Sequence, residues 1–117
     1  MRYGVKVIYT YSVGEGKKKY YEMQILLVKA ASFEDAYDKA EKYVSEYDRE
    51  YRNPKGDLVK VENAEVLDCF SILDEEEEVQ EVYSAILKND TPLSEEAFYH
   101  AISNQCDADD MRDLRYR

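Results

Sequence analysis

The sequence predicts an α+β fold in which strands and helices follow the order ββαββα. Three patterns carry this prediction: regular alternation at residues 2–12, a second apolar segment at Tyr20–Ala30, and an amphipathic helix at Ser32–Tyr51. A hairpin, a long helix and a second hairpin make a four-stranded, mainly antiparallel sheet with the helix packed on one face. With 117 residues, the chain is long enough for one such domain with one core.

The first two predicted strands form a hairpin. Odd positions of residues 2–12 carry the apolar and aromatic side chains: Tyr3, Val5, Val7, Tyr9 and Tyr11. This alternation is typical of a strand with one buried face. Gly14–Gly16 and the lysines that follow predict the turn. In the second strand, the continuous apolar run Ile25–Val28 predicts a central strand that is covered on both faces.

The long helix is predicted from its cap and from one apolar stripe. Ser32 is a suitable N-cap, and Asp35 stands at the capping-box position. The stripe has helical spacing and includes four tyrosines: Phe33, Ala36, Tyr37, Ala40, Tyr43, Val44, Tyr47 and Tyr51. We expect this stripe, tyrosines included, to pack on the sheet. The helix is expected to end before Asn53–Asp57, where Pro54 and Gly56 favour a turn.

The second hairpin is predicted from residue 58 onwards. Leu58–Leu73 is a long extended segment whose apolar positions change parity near Asn63, which implies a β-bulge or a break there. Asp74–Glu78 is interpreted as a charged hairpin tip. Val79–Leu87 is predicted to be the fourth strand.

A short second helix is predicted at residues 94–104. Thr91 and Ser94 are competing N-caps, because either hydroxyl suits that position. The helix would cover a sheet edge or extend the helical layer. Residues 1–104 are expected to form one domain. Residues 105–117 are expected to be a polar tail that frays or extends the helix, with Met111 and Leu114 as anchors.

Five short segments follow the pattern of one protein family. They are Tyr3–Val7, Tyr21–Glu22, Val28–Ala36, Glu46–Tyr47 and Glu81–Ser84. Together they resemble DUF4288, a family of small bacterial domains. The resemblance covers roughly residues 2–88, and the first strand begins with Tyr where Trp is more usual. It implies no activity, substrate or catalytic residue.

Charge is unevenly distributed along the chain. The net charge is −10; residues 1–31 hold six Lys and Arg against two Asp and Glu, whereas residues 32–117 hold ten against 24. Nucleic acids and anionic membranes are bound by basic side chains, so we expect neither as a partner. An acidic surface suits a basic protein, whose association it can steer, or it serves only solubility.

No set of residues in the sequence indicates catalysis, a cofactor or a metal. His100 is the only histidine, and Cys69 and Cys106 lack the spacing of a zinc or redox motif. Asp74–Glu78 lacks the glycine and the alternating ligands of a calcium loop. Gly14–Gly16 lacks the order of a phosphate-binding loop. We therefore predict no catalytic residue, cofactor or metal site.

These features favour a non-enzymatic interaction protein. Its acidic surface and its twelve tyrosines suit protein contacts. We expect it to neutralise a basic partner, in the manner of immunity proteins. Seven carboxylates are the predicted partner-binding residues: Glu75, Glu76, Glu77, Glu78, Asp107, Asp109 and Asp110.

Two other functions fit the same sequence. A small-ligand binder or an enzyme would use a tyrosine-lined pocket between helix and sheet, where a carboxylate meets Tyr or His100. A structural or regulatory module would dimerise through a sheet edge. The chain is therefore expected to be a monomer or a homodimer.

The sequence also predicts a cytoplasmic location. The N-terminal residues MRYGVKVIY lack the apolar core of a signal peptide. No stretch approaches the roughly 18 apolar residues of a membrane span. Both cysteines are then expected to be reduced.

Overall fold

A computed structural model describes residues 1–15, 18–46, 50–73, 77–103 and 106–114 of the chain. Its elements are β1 (Arg2–Val13), β2 (Lys18–Lys29), α1 (Phe33–Ser45), β3 (Glu50–Arg52), β4 (Leu58–Ile72), α2 (Glu95–Ser103) and α3 (Ala108–Leu114). The strands form one antiparallel sheet in the spatial order β2-β1-β4-β3. The α+β class and the four-stranded antiparallel sheet are confirmed, but several elements differ from the prediction.

β1 lies in the centre of the sheet and supplies one side of the core. Its odd-numbered side chains are all buried, as the alternation predicts: Tyr3, Val5, Val7, Tyr9, Tyr11 and Val13. They pack against α1 together with Val59 and Val66 of β4. We call this side the inner face of the sheet and the opposite side the outer face.

β4 follows β1 along its whole length but with two interruptions. The pairing register shifts between Lys6 and Val7 and again between Thr10 and Tyr11. On β4 the residues skipped at these points are Leu67 and Glu62. A skipped residue is a β-bulge, which turns the following side chains to the other face. The bulge at Glu62 adjoins Asn63 and accounts for the predicted change of parity.

β2 is an edge strand, so its predicted central position is wrong. Leu26 and Val28 face inward and are half-buried, whereas Ile25 and Leu27 face outward and are exposed. β4 occupies the other side of β1, and among the described residues no other strand flanks β2. A short run of apolar residues cannot distinguish a strand covered on both faces from one whose outer face is open.

α1 begins as predicted but is shorter than predicted. The Asp35 N–H donates to the Ser32 hydroxyl at 3.1 Å, and the Ala31 N–H donates to the Asp35 carboxylate at 3.0 Å. The helix ends at Ser45. Residues 50–52 are not helical but form β3, paired with residues 58–60. The turn around Gly56 (φ +86°) closes this hairpin, so local strand pairing replaces the last helical turns.

Small residues, not tyrosines, form the contact of α1 with the sheet. Ala36, Ala40 and Val44 are its buried residues, and they leave room for the large side chains of β1. Tyr37 and Tyr43 are 43% and 45% exposed. The predicted packing of the tyrosine stripe is therefore wrong for these two, and Tyr47 lies outside the described residues.

The predicted fourth strand does not form. Residues 80–90 have no helix or strand, and Val79, Val82, Ile86 and Leu87 are exposed. β3 is the fourth strand of the sheet and pairs with residues 58–60 of β4. Further along β4, where its edge is not paired with β3, the bulge at Leu67 interrupts the strand. Glu77 and Glu78 therefore do not lie in a hairpin tip.

The described residues of the C-terminal part form two short helices. Ser94, not Thr91, caps α2, since the Ala97 N–H donates to the Ser94 hydroxyl at 3.1 Å. α2 has no buried residue. α3 lies in the segment expected to fray or extend the helix, and Leu114 packs against the core. Met111 remains exposed, so only one of the two predicted anchors is used.

Candidate functional site

The outer face of β2 carries a row of exposed apolar side chains. Successive side chains of a strand alternate between faces, so the odd positions share the outer face: Tyr21, Met23, Ile25 and Leu27. Each of these side chains is between 50% and 66% exposed. We call this set the β2 row. Contiguous exposed apolar surface marks an interaction site more often than single exposed residues do.

An acidic groove with aromatic walls crosses the outer face of β4. The Phe70 ring lies over Gly4 of β1, and a Cβ atom at Gly4 would come within 2.3 Å of that ring. The Tyr83 ring packs on Phe70, with 4.8 Å between the ring centroids. The groove has a volume of about 250 Å³ and is lined by Asp68, Phe70, Ser71, Glu81, Val82, Tyr83 and Ser84.

Lys6 places an ammonium group beside this acidic groove. Its Nζ atom donates to the Tyr83 hydroxyl at 3.3 Å and lies 5.0 Å from the Tyr83 ring centroid. Lys6 also stands directly opposite Asp68 in the pairing of β1 with β4. A cation over an aromatic face gains electrostatic stabilisation. The groove therefore combines the groups that bind a Lys or Arg side chain.

A second cluster lies where β2 and β4 begin. Asp113 of α3 accepts hydrogen bonds from Lys18 Nζ at 2.8 Å, from Lys55 Nζ at 2.8 Å and from the Tyr20 hydroxyl at 2.9 Å. The Asp113 side chain is only 5% exposed. The Asn53 amide donates to the Asp113 carbonyl at 3.0 Å. Hydrogen bonds from three donors thus offset the free-energy cost of burying this carboxylate.

The cluster has fixed protonation states. Hydrogen bonds from Lys18, Lys55 and Tyr20 hold the pKa of Asp113 well below its usual value. Burial, and then the hydrogen bond to Asp113, raises the pKa of Tyr20 well above its usual value. Asp113 remains an acceptor and Tyr20 a donor near neutral pH, so this pair is suited to holding α3 in place and not to proton transfer.

The cavity beside Asp113 has a balanced charge. Its volume is about 750 Å³, and three basic and three acidic side chains line it: Lys18, Arg52, Lys55, Glu15, Asp57 and Asp113. The Arg52 guanidinium donates to the Gly56 carbonyl at 2.9 Å. This lining offers no excess charge of either sign to an ionic ligand.

The predicted partner-binding carboxylates have different positions. Glu75 and Glu76 lie outside the described residues. Glu77 and Glu78 are exposed after β4. Asp107 and Asp110 form a reciprocal cap at the start of α3: the Asp110 N–H donates to the Asp107 carboxylate at 2.9 Å, and the Asp107 N–H donates to Asp110 at 3.1 Å. Asp109 pairs with Arg112 at 3.1 Å.

These carboxylates do not form one surface. α3 is attached near the first residues of β4, through Lys55 and the cavity that Leu58 and Asp113 line. Glu77 and Glu78 follow the last residues of β4, where Gln80 donates to the Leu73 carbonyl. The 15 residues of β4 separate these two points along the sheet. The two predicted groups therefore lie at opposite ends of the sheet.

The remaining candidates for chemistry lie apart. His100 is exposed on α2 and contacts Tyr99, with 5.9 Å between the rings. Cys106 is exposed, and burial raises the pKa of the half-buried Cys69. Within the described part of the chain, no three His, Cys, Asp or Glu side chains converge to hold a metal ion.

Sequence reasoning missed the acidic groove. It placed Tyr83 and Glu81 in the predicted fourth strand. One signal was present: a glycine inside a strand marks a close approach of another group, and Gly4 interrupts the large residues of β1. That the approaching group is the Phe70 ring depends on pairing between residues far apart in sequence.

Comparison with known proteins identifies a family. The family model DUF4288, described as a domain of unknown function, matches residues 2–84. This span includes the acidic groove and the β2 row. No curated protein and no solved structure matches the chain. Among the helices of the described residues, none is long and apolar enough to cross a membrane.

Proposed function

The chain belongs to the DUF4288 family of domains of unknown function, and we propose that it is a non-enzymatic interaction protein that binds a basic protein partner. The contact that we assign is the acidic groove of Asp68, Glu81, Phe70 and Tyr83. A Lys or Arg side chain of the partner enters this groove, and the surrounding acidic surface neutralises further basic residues.

The position of Lys6 is the observation that carries this proposal. This side chain already holds an ammonium group against the Tyr83 ring. Two carboxylates, Asp68 and Glu81, line the same groove, and neither forms an ion pair within the described residues. The groove therefore retains negative charge for a second cation, which an incoming Lys or Arg would supply.

The charge of the chain supports the same partner. Residues 32–117, which contain the groove carboxylates, hold 24 Asp and Glu against ten Lys and Arg. A field of this sign accelerates association with a basic protein and weakens as salt is added. Glu77 and Glu78 are exposed in the segment that leads to Glu81 and Tyr83, so they extend the acidic surface beyond the groove.

A pocket between α1 and the sheet is less well supported. The side chains at this interface are buried on both sides: Tyr9, Val7 and Val5 from β1, and Ala36 and Ala40 from α1. They fill the space that a tyrosine-lined ligand pocket would need.

The test uses a fluorescent octalysine peptide as the probe and anisotropy as the readout. We expect binding at low salt that weakens at high salt, with a slope that reports the number of ionic contacts. The double variant Asp68→Asn/Glu81→Gln should bind at least about fivefold more weakly. The matched control Glu34→Gln/Asp38→Asn removes the same number of negative charges from exposed positions of α1. Its affinity for octalysine should decrease much less than that of the groove variant.

Two results would contradict the proposal. One is the absence of salt-dependent binding to the wild-type protein. The other is an equal loss in both double variants, because such a result would assign the binding to net charge and not to the groove.

A further inference from the structure

We propose that the free edge of β2 pairs with β2 of a second copy of this chain, about a two-fold axis at Met23. The two sheets would then form one continuous eight-stranded sheet. This contact uses the β2 row and not the acidic groove, so it goes beyond the proposed function and stands independently of it.

The backbone of β2 is oriented for such pairing. The Ala30 N–H donates to the Met1 carbonyl at 3.1 Å, so Ala30 is a position that bonds to β1. β1 and β2 pair without a register shift from Arg2 with Lys29 to Val13 with Lys18. Bonded and non-bonded positions alternate in an antiparallel pair. Odd positions of β2 therefore direct their N–H and C=O groups to the free edge.

The edge of β2 lacks the features that normally prevent pairing. Natural edge strands are protected by bulges, short length, proline or central charges. β4 has two bulges, and β3 is three residues long. β2 has twelve residues, no bulge against β1, and lysines only near its two ends. Glu22 is its one charged residue between Tyr20 and Val28, and this side chain faces inward to Tyr11.

Packing of both faces fixes which residues can oppose each other. Directly opposed residues of neighbouring strands point to the same face. If an odd position opposed an even position, the inner face of one copy, which α1 covers, would lie beside the outer face of the other copy. An odd position must therefore oppose an odd position. The two-fold axis must then pass beside a residue of β2, which opposes the same residue of the second copy. An axis that passes between two successive residues is excluded.

Charge and overlap together then select Met23. An axis at Glu22 would oppose two Glu22 side chains, and an axis at Gln24 would oppose Lys19 with Lys29. Like charges directly opposite each other destabilise a strand pair. An axis at Met23 opposes Met23 with itself and Tyr21 with Ile25, and no like charges oppose each other between Lys18 and Val28. The two β2 rows then form one apolar surface. An axis at Ile25 also opposes no like charges, but within β2 it pairs only residues 21–29, whereas an axis at Met23 pairs residues 18–28.

The test measures mass by light scattering after size-exclusion chromatography. Wild-type protein is expected at about twice the 13.8 kDa of the chain. Met23→Lys and Met23→Glu each place like charges on the axis, and each should raise the dissociation constant at least about tenfold. Met23 is largely exposed, so neither variant should disturb the fold. An equal mixture of the two should recover the dimer, because Lys then opposes Glu.

The control is Ile86→Lys, which replaces another exposed apolar residue and should remain dimeric. Four results would overturn the proposal: a monomeric wild type, a dimer that persists in Met23→Lys, a mixture that does not recover the dimer, or a monomeric Ile86→Lys. The last result would assign the contact to the segment around Ile86 instead of β2.

Discussion

The Tyr20 hydroxyl donates to the Asp113 carboxylate at 2.9 Å, although the two residues are 93 positions apart in sequence. Lys18 and Lys55 donate to the same carboxylate, and the Tyr51 hydroxyl donates to the Leu114 carbonyl. α3 is thus attached to residues of β2, of β3 and of the turn that follows β3. A helix of seven residues is too short to be stable alone in water, so these contacts determine whether it forms.

We predict that Asp113→Ala destabilises the domain by about 1–3 kcal/mol, because Lys18, Lys55 and Tyr20 lose their acceptor. Both lysines are more than half exposed, and solvent screening keeps the expected value in the lower half of that range. Urea denaturation followed by circular dichroism measures it. Asp109→Ala removes an exposed carboxylate of the same helix and should change stability by less than about 0.5 kcal/mol. Equal effects would contradict a special role for Asp113.

The contribution of Asp113 should disappear in acid. Its pKa is lower in the folded protein than the ordinary value of 3.8, so the unfolded chain takes up the proton first as the pH falls. The resulting stabilisation is complete above about pH 5 and decreases below about pH 4. Wild type and Asp113→Ala should therefore differ at pH 7 and converge towards pH 2. A constant difference in urea midpoints over this range would contradict the predicted linkage.

We predict that Gly4→Ala costs about 1–3 kcal/mol, because the added methyl group displaces the Phe70 ring. The same shift moves the Tyr83 ring and should weaken octalysine binding. A double-mutant cycle with Phe70→Ala measures the coupling. In the Phe70→Ala background, Gly4→Ala should cost much less. The same cost in both backgrounds would show that another neighbour resists the methyl group.

The close approach of α1 to the sheet leads to a fourth prediction. Ala36 is fully buried, so Ala36→Leu should overpack the interface and cost about 1–3 kcal/mol. Asp38→Leu, at an exposed position of the same helix, should stay within about 0.5 kcal/mol of wild type. Thermal or urea unfolding measures both changes. An unchanged stability in Ala36→Leu would indicate unfilled space between helix and sheet.

Local patterns predicted the elements that depend on local physics. The alternation of β1 follows from its odd positions and the start of α1 from Ser32 and Asp35, whereas the sequence left Thr91 and Ser94 as competing caps of α2. Each of these signals acts over a few residues, through strand pleating or through a side chain that accepts a nearby N–H. The bulge beside Asn63 was also visible, since a change of parity leaves a local trace in the sequence.

Neighbour relations in the sheet were not predictable in the same way. The run Ile25–Val28 suits a central strand and an edge strand equally, and Glu50–Arg52 suits either a helix end or β3. The choice depends on which strand lies beside β1 and on whether residues 58–60 have a free edge. These are contacts between segments that are far apart in the sequence, so no short stretch of sequence predicts them.

The sequence by itself determined the class of the fold, the inner face of β1, the cap of α1 and the acidic balance, because spacing and composition encode these directly. Only the tertiary structure decided the place of β2 at the edge, the groove of Asp68 and Glu81, and the attachment of α3 through Asp113. Each of the latter joins residues from separate elements, so its existence depends on packing that no single element specifies.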